Sequence, residues 1–184
     1  FHRALLYARG LGNDEAALAD YNRALEIEPS DYYVRYCRGN LYLRQGKWHA
    51  AEEDYSAVVE SNLSRGRAYL HVYRAVARVK LGRYEAARAD IDTALRQKPG
   101  WPMPLYYRGI ILFLEGDTKD AKRAIARAER LLALRQASTP PRFKEAKARI
   151  ETAPADFSAE SEVTGLSVPL PPFPDKVFPQ EIKR

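Results

Sequence analysis

Charged residues recur at long, regular intervals along this 184-residue chain, and their types are those that form ion pairs. Three arginines are spaced 36 and 34 residues apart, and three aspartates are spaced 34 and 36 apart. A guanidinium group binds a carboxylate through two parallel hydrogen bonds, so the chemistry open to these residues is structural ion pairing or the binding of a charged ligand. The two columns consist of Arg38, Arg74, Arg108, Asp20, Asp54 and Asp90.

The sequence contains no set of side chains suited to catalysis. Its single cysteine, Cys37, excludes an internal disulfide and a Cys-rich zinc site, and the three histidines share no ligand spacing. It also has no nucleophile with a neighbouring base, no carboxylate pair and no phosphate-binding glycine loop. We therefore expect a protein that is not an enzyme and that binds neither a metal nor a cofactor.

The composition is that of a soluble globular protein, with 46% apolar and 29% charged residues. The longest apolar stretch, residues 109–114, is far shorter than the roughly 20 residues of a membrane span. The chain starts at Phe1 rather than Met, so removal of a signal or of an upstream domain stays open. The compartment is unknown, with the cytoplasm favoured.

Tyrosine is in excess, with 12 Tyr against 6 Phe, and every tyrosine lies between Tyr7 and Tyr107. The same region repeats itself. Four glycines recur at intervals of 34, 36 and 34 residues, each followed by small residues, and a second column of small residues and a third of large ones keep the same period. The columns are Gly12, Gly46, Gly82 and Gly116; Gly39, Ala75 and Gly109; and Tyr21, Tyr55, Ile91 and Ile125.

This pattern resembles the tetratricopeptide repeat (TPR) family, which has a period of about 34 residues and two helices per repeat. The best-matching stretch is 32–63, a third repeat covers about 68–101, and a fourth starts near 102. The first repeat is truncated, and residues 1–11 are the remnant of its first helix. The resemblance implies an all-α fold: a right-handed superhelical α-solenoid of about four helix pairs over residues 1–136.

The spacing of glycines and of capping residues predicts where the helices begin and end. Asn13, Asp31 and Asp117 are suitable N-caps, and the turn glycines accept the positive φ that ends a helix. Beyond the repeats, a ninth helix within 137–152 carries one apolar stripe and is expected to cap the solenoid. The predicted helices are about 1–10, 14–27, 31–45, 48–61, 67–81, 84–97, 102–115, 118–136 and 141–152.

Within this repeat architecture each aspartate lies on the second helix of a repeat, and an arginine lies on the first helix of the next. We therefore predict a structural ladder between repeats, which pairs Asp20 with Arg38, Asp54 with Arg74, and Asp90 with Arg108. The fourth repeat has Ala124 at the aspartate position. A ligand-binding role for the same residues is the alternative.

In TPR solenoids the first helix of each repeat lines a concave groove, and the resemblance places tyrosines there. Tyrosine offers a large apolar face and a hydroxyl group, which suits the binding of an extended peptide. The alternative is that several of them pack between helices. The groove positions implied by the family are Tyr33, Tyr36, Asn40, Tyr69, Tyr73, Val76, Met103, Tyr106, Tyr107 and Ile110.

The family's carboxylate clamp for chaperone C-termini requires Lys, Asn and Arg at set groove positions. Here those positions hold Tyr36, Asn40, Tyr73, Met103 and Tyr107, so only Asn40 fits. A receptor for chaperone tails is therefore disfavoured.

Residues 153–184 hold six of the twelve prolines and read as an extended, polyproline-like tail. The tail is either a linker or a segment that docks into the tyrosine-lined groove, in its own chain or in another copy.

Two functions compete. The first is a non-catalytic scaffold that binds an extended peptide of a protein partner, whose identity is unknown. The second is nucleic-acid or polyanion binding, because residues 117–152 carry ten Lys and Arg against five Asp and Glu. No aromatic platform is interleaved with these charges, as single-stranded nucleic-acid binders usually require, so the peptide-binding function is preferred.

Overall fold

The computed structural model describes residues 13–61, 67–154 and 168–171, and the regular elements in these ranges are all helical. The helix predicted over residues 1–10 lies outside the described residues, and the other predicted bounds agree with the structure to within three residues. The helices are α1 (Asp14–Ile27), α2 (Tyr32–Arg44), α3 (Trp48–Glu60), α4 (Ala68–Lys80), α5 (Tyr84–Gln97), α6 (Pro102–Leu114), α7 (Thr118–Ala133), a short 3-10 turn (Pro141–Phe143) and α8 (Lys144–Thr152).

The chain divides into two compact units, residues 1–65 with 171–184 and residues 66–170, which we call the N-terminal and C-terminal units. In the N-terminal unit α2 packs against α1 and α3. In the C-terminal unit α4 pairs with α5 and α6 with α7, while α8 packs on α6 and α7. The pairs α2–α3, α4–α5 and α6–α7 are the second, third and fourth repeats.

A glycine with positive φ ends the first helix of each of these repeats. Gly46, Gly82 and Gly116 have φ of 71°, 73° and 88°, a region that costs other residues energy. The amide that follows each glycine donates to a carbonyl five residues earlier, as from Lys47 to Tyr42 at 2.9 Å. This bond satisfies a carbonyl at the helix end and turns the chain into the second helix.

Side-chain caps begin three of the helices, as predicted. Asn13 accepts a hydrogen bond from the amide of Ala16, and Asp117 accepts one from the amide of Asp120, both at 3.0 Å. Asp31 accepts from the amides of Tyr33 and Val34 at the start of α2. These bonds satisfy amides that have no partner within the helix.

The two helices of a repeat meet at a residue with little or no side chain. A Cβ atom added to Gly39 would lie 3.1 Å from the Tyr55 ring, and one added to Gly109 would lie 2.8 Å from Ile125 Cδ1. Ala75, at the same position in the third repeat, is fully buried. The columns of small and large residues therefore form the interface between paired helices.

None of the helices in the described ranges is both long and apolar enough to cross a membrane. Within those ranges, no three His, Cys, Asp or Glu side chains are grouped so that they could hold a metal ion.

We predict that Gly109→Ala destabilises the protein although alanine is the better helix former. Helix propensity favours alanine by about 1 kcal/mol, but the new Cβ would also lie 3.2 Å from the Ala121 carbonyl oxygen, and such overpacking costs about 1–3 kcal/mol. Urea denaturation should show an unfolding free energy lower by about 1 kcal/mol.

The control combines Gly109→Ala with Ile125→Val, which removes the Cδ1 atom that the new methyl group meets. The double variant should lose less stability than the sum of the two single variants. If the losses of unfolding free energy of the two single variants simply add up in the double variant, the contact with Ile125 Cδ1 is not what makes Gly109→Ala destabilising.

Candidate functional site

Two arginines of the charged columns bind aspartates of their own repeat. Arg38 donates from Nε and Nη2 to the two carboxylate oxygens of Asp54 at 2.8 and 2.7 Å. Arg74 makes the same pair of bonds to Asp90 at 2.9 and 2.7 Å. Both aspartates are buried, and each lies 16 residues after its arginine, on the second helix of the same repeat.

The predicted ladder between repeats is therefore wrong in its pairing. Asp54 pairs with Arg38 rather than Arg74, and Asp90 pairs with Arg74 rather than Arg108. The reason is the close approach of the paired helices, because Asp54 Cβ lies only 3.4 Å from where a Cβ of Gly39 would be. The carboxylate consequently lies beside the first helix of its own repeat.

Arg38 was also predicted to bind Asp20 of the preceding repeat, and it binds a neighbour of that residue instead. Arg38 Nη1 donates to Asn22 Oδ1 at 2.8 Å. Arg108 Nη1 lies 3.1 Å from Asp92 Oδ1, although without the geometry of a hydrogen bond. Asn22 lies 16 residues before Arg38, and Asp92 lies 16 residues before Arg108. This shared spacing could have predicted both contacts, but the more regular column of aspartates two positions earlier favoured other pairs.

Asp90 is the centre of a cluster of basic side chains. In addition to Arg74, the Asp90 carboxylate accepts a hydrogen bond from Arg78 Nη1 at 2.8 Å, and His71 Nδ1 lies 3.3 Å away. Burial disfavours ionisation, but the hydrogen bonds from His71 and Arg74 and the charges of the two arginines lower the pKa of Asp90. At Asp54 burial prevails over the Arg38 bonds and raises the pKa.

The predicted groove residues of the N-terminal unit are largely engaged in packing. Tyr36 is 2% exposed, and its ring centroid lies 6.4 Å from that of Tyr55. Asn40 accepts a hydrogen bond at 2.7 Å from the hydroxyl of the buried Tyr55. Tyr33 is half-buried.

In the C-terminal unit the predicted groove residues of α4 and α6 are also mostly buried. Tyr73, Val76 and Ile110 are at most 1% exposed. Tyr69 and Met103 keep part of their surface in solvent, and the Tyr69 ring stands edge-on to that of Tyr73, with centroids 6.1 Å apart.

Residues beyond the repeats contact the two tyrosines of α6. Phe143 stacks on Tyr106 with ring centroids 4.5 Å apart and meets Tyr107 edge-on at 5.2 Å. The Tyr107 hydroxyl donates to the Pro169 carbonyl oxygen at 2.8 Å, and the neighbouring Val168 is buried. Burial raises the pKa of Tyr107, so its hydroxyl keeps the proton that it donates.

Glu129 of α7 joins Tyr106 to the C-terminal elements. Its carboxylate accepts hydrogen bonds from the hydroxyl groups of Tyr106 and of Thr139, and it pairs with Lys147 at 3.1 Å. Burial opposes ionisation of Glu129, but these hydrogen bonds lower its pKa, while burial and the bond to Glu129 raise the pKa of Tyr106. The network holds α8 against α6 and α7.

At least five of the ten basic residues between 117 and 152 bind acceptors in the described part of the chain. Three donate to backbone carbonyls, as from Lys122 Nζ to Ala153 at 2.6 Å, and two pair with carboxylates. The five engaged residues are Lys122, Arg123, Arg135, Arg142 and Lys147. These contacts occupy donor groups that a polyanion would otherwise bind, and the two carboxylates also neutralise part of the positive charge.

Comparison with known proteins agrees with the helical repeats. Tetratricopeptide repeat models match residues 36–102 and 74–133, and a TPR repeat model matches residues 7–60. The chain belongs to the tetratricopeptide repeat family, a class of helical scaffolds for protein–protein interaction.

The similar curated proteins are much longer than the stretches they share with this chain. DnaJ homolog subfamily C member 3 of Gallus gallus is 38% identical over 35% of this chain and 12% of its own length. A tetratricopeptide repeat and J domain-containing co-chaperone of Cryptococcus neoformans is 30% identical over 47% and 16%. The BBSome complex member BBS4 of Xenopus tropicalis is 30% identical over 67% and 24%.

Solved structures share the fold. MamA from Desulfovibrio magneticus RS-1 superposes with a TM-score of 0.68 at 17% identity and covers 73% of this chain and 74% of its own. YrrB, a TPR protein with an unusual peptide-binding site, has a TM-score of 0.58 at 20% identity and covers 80% and 78%.

We predict that Asp90→Asn destabilises the protein by about 3 kcal/mol at neutral pH, because it leaves Arg74, Arg78 and His71 without their shared carboxylate. The pKa of Asp90 is lower in the folded state, so its contribution is present above the ordinary aspartate pKa of about 4 and is lost as the pH falls through the folded-state pKa. The stability gap between wild type and variant should narrow over that acidic range in denaturant titrations.

The matched control is Asp92→Asn on the same helix, whose pair with Arg108 is more than one-third exposed on both sides. It should cost less than about 1 kcal/mol. Equal losses from the two variants would contradict a special role for the Asp90 cluster.

Proposed function

We propose that this chain is a non-catalytic scaffold that binds an extended peptide segment of a partner protein on the tyrosine-bearing first helices of its repeats. The observation that carries the proposal is the hydrogen bond from Tyr107 to the Pro169 carbonyl, beside the buried Val168. A non-helical, proline-containing segment is thus held by one of the residues that the sequence assigned to the groove.

The chemistry of this contact suits peptide recognition in general. Every residue of a peptide has a carbonyl that a tyrosine hydroxyl can bind, and the aromatic ring covers apolar side chains at low entropic cost. In the C-terminal unit the surface would comprise Tyr69, Tyr73, Val76, Met103, Tyr106, Tyr107 and Ile110. Tyr33, Tyr36 and Asn40 of the N-terminal unit stay a prediction from the sequence.

The C-terminal residues of the chain would regulate this surface in cis. Phe143 covers Tyr106 and Tyr107, and Arg142 Nη1 lies 3.3 Å from the Leu170 carbonyl. We propose that α8 caps the repeat array and that the proline-rich residues after 153 compete with a partner peptide for Tyr107.

The relatives support a role in protein interaction. Two are named as DnaJ homologues or co-chaperones, one as a member of a complex, and YrrB is described as having a peptide-binding site. Binding of nucleic acid or another polyanion is not favoured by any contact in the described residues, and it is an outcome of the test below.

The test is a fluorescence titration with a labelled peptide of residues 166–174, added to the full chain and to a chain shortened to residues 1–153. We expect the shortened chain to bind more tightly, because its own segment no longer competes. Tyr107→Phe should weaken this binding about fivefold, the worth of one hydrogen bond of about 1 kcal/mol.

The matched control is Tyr84→Phe, which removes a hydroxyl from a half-buried tyrosine on the second helix of the third repeat. It should leave peptide binding unchanged, and circular dichroism should show that all variants are folded. Equal affinity of the shortened chain with and without Tyr107→Phe would refute the proposed contact. Binding that weakens steeply with salt would point to a polyanion site instead.

A further inference from the structure

The fourth repeat departs from the arginine geometry of the other two. In the second and third repeats the Nε and Nη2 groups of the arginine bind an aspartate 16 residues later. Arg108 is the equivalent arginine, and 16 residues later stands Ala124. Its Nη1 atom lies beside Asp92, and no carboxylate of the described residues reaches the Nε and Nη2 edge.

A cleft of about 310 Å³ lies where the missing carboxylate would be. Its walls come from α6 and α7, and Arg108 and Ala124 both line it. The complete lining is Leu105, Arg108, Leu112, Asp120, Arg123, Ala124 and Arg127.

The charges that line this cleft favour an anion. Three arginines face a single carboxylate, that of Asp120, which is engaged by Arg123 at 2.6 Å. Arg127 is exposed and has no acceptor in the described parts of the chain. Two guanidinium groups, those of Arg108 and Arg127, are therefore available to a carboxylate from outside.

The cleft is separate from the tyrosines of the proposed peptide surface. On α6, with about 3.6 residues per turn, Leu105, Arg108 and Leu112 form one stripe, and Tyr106 and Ile110 lie roughly on the opposite side. A ligand in the cleft would thus be bound independently of the segment that contacts Tyr107.

We propose that this cleft binds an aspartate or glutamate side chain of a partner protein, which supplies the carboxylate that Ala124 lacks. Arg108 binds it through Nε and Nη2, as Arg38 and Arg74 bind Asp54 and Asp90. Arg127 adds a second cation. Leu105 and Leu112 cover the methylene groups of the acidic side chain.

The experiment titrates the full chain with the acetylated, amidated peptide Gly-Ser-Glu-Asp-Glu-Ser-Gly and follows the Arg Nε–Hε signals by NMR. We expect the signals of Arg108 and Arg127 to shift, and the peptide with Gln-Asn-Gln at its centre to leave them unchanged. Ala124→Asp should weaken binding about tenfold or more, because the new carboxylate fills the cleft and occupies Arg108.

The matched control is Ala126→Asp, which adds the same charge to an exposed position of the same helix outside the cleft. It should change the dissociation constant less than twofold. Arg127→Gln changes an exposed side chain, so we expect the variant to fold, and it should weaken binding several-fold. It provides the test if Ala124→Asp misfolds. Equal binding by Ala124→Asp and Ala126→Asp, or by Arg127→Gln and wild type, would overturn the proposal.

Two further probes identify the source of the carboxylate. An acetylated Gly-Ser peptide whose only charge is its free C-terminal carboxylate should bind at least tenfold more weakly than the acidic peptide. Sodium sulfate at matched ionic strength should shift the two arginine signals less than the peptide does. If either probe equals the acidic peptide, the cleft binds terminal carboxylates or anions in general, and an acidic side chain is not its ligand.

Discussion

The close contact between the two helices of each repeat is the constraint on which the rest of the structure depends. At Gly39 and Gly109 the facing helix leaves almost no room for a Cβ atom. In the second and third repeats this proximity places an aspartate of the second helix within reach of an arginine of the first, and it buries the carboxylate. The charged columns thus follow from the columns of small residues, because the ion pair forms only where the backbones approach.

The guanidinium group of each arginine in the column has two sets of donors, Nε with Nη2 on one side and Nη1 on the other, which can bind different partners. The Nε and Nη2 edge of Arg38 binds its own repeat, and Nη1 reaches Asn22 on the preceding helix. A planar guanidinium can serve both directions because its donors point to fixed sides of one plane. In the fourth repeat Arg108 keeps only the contact with the preceding helix, and the same residue lines the cleft beside Ala124.

Two tyrosines of α6 are packed against residues that lie beyond the repeats. Tyr106 and Tyr107 are buried, but the groups that cover them are Phe143 and the segment around Pro169, which lie beyond the repeats. Their hydroxyl groups act differently, since that of Tyr106 joins the Glu129 network and that of Tyr107 binds a backbone carbonyl. The proposed competition between the C-terminal residues and a partner peptide follows from the second of these contacts.

The sequence by itself determined the family, the helix bounds between residues 14 and 152, the caps and the turn glycines, because these depend on local geometry repeated at a fixed period. The sequence did not determine which arginine pairs with which aspartate. Asp54, 16 residues after Arg38, and Asp20, 18 residues before it, both fit the repeat period. Only the packing distance between helices decides between them. Likewise, no periodic pattern predicts the hydrogen bond from Tyr107 to the Pro169 carbonyl, 62 positions later in the sequence. This contact depends on where the chain returns after the repeats end.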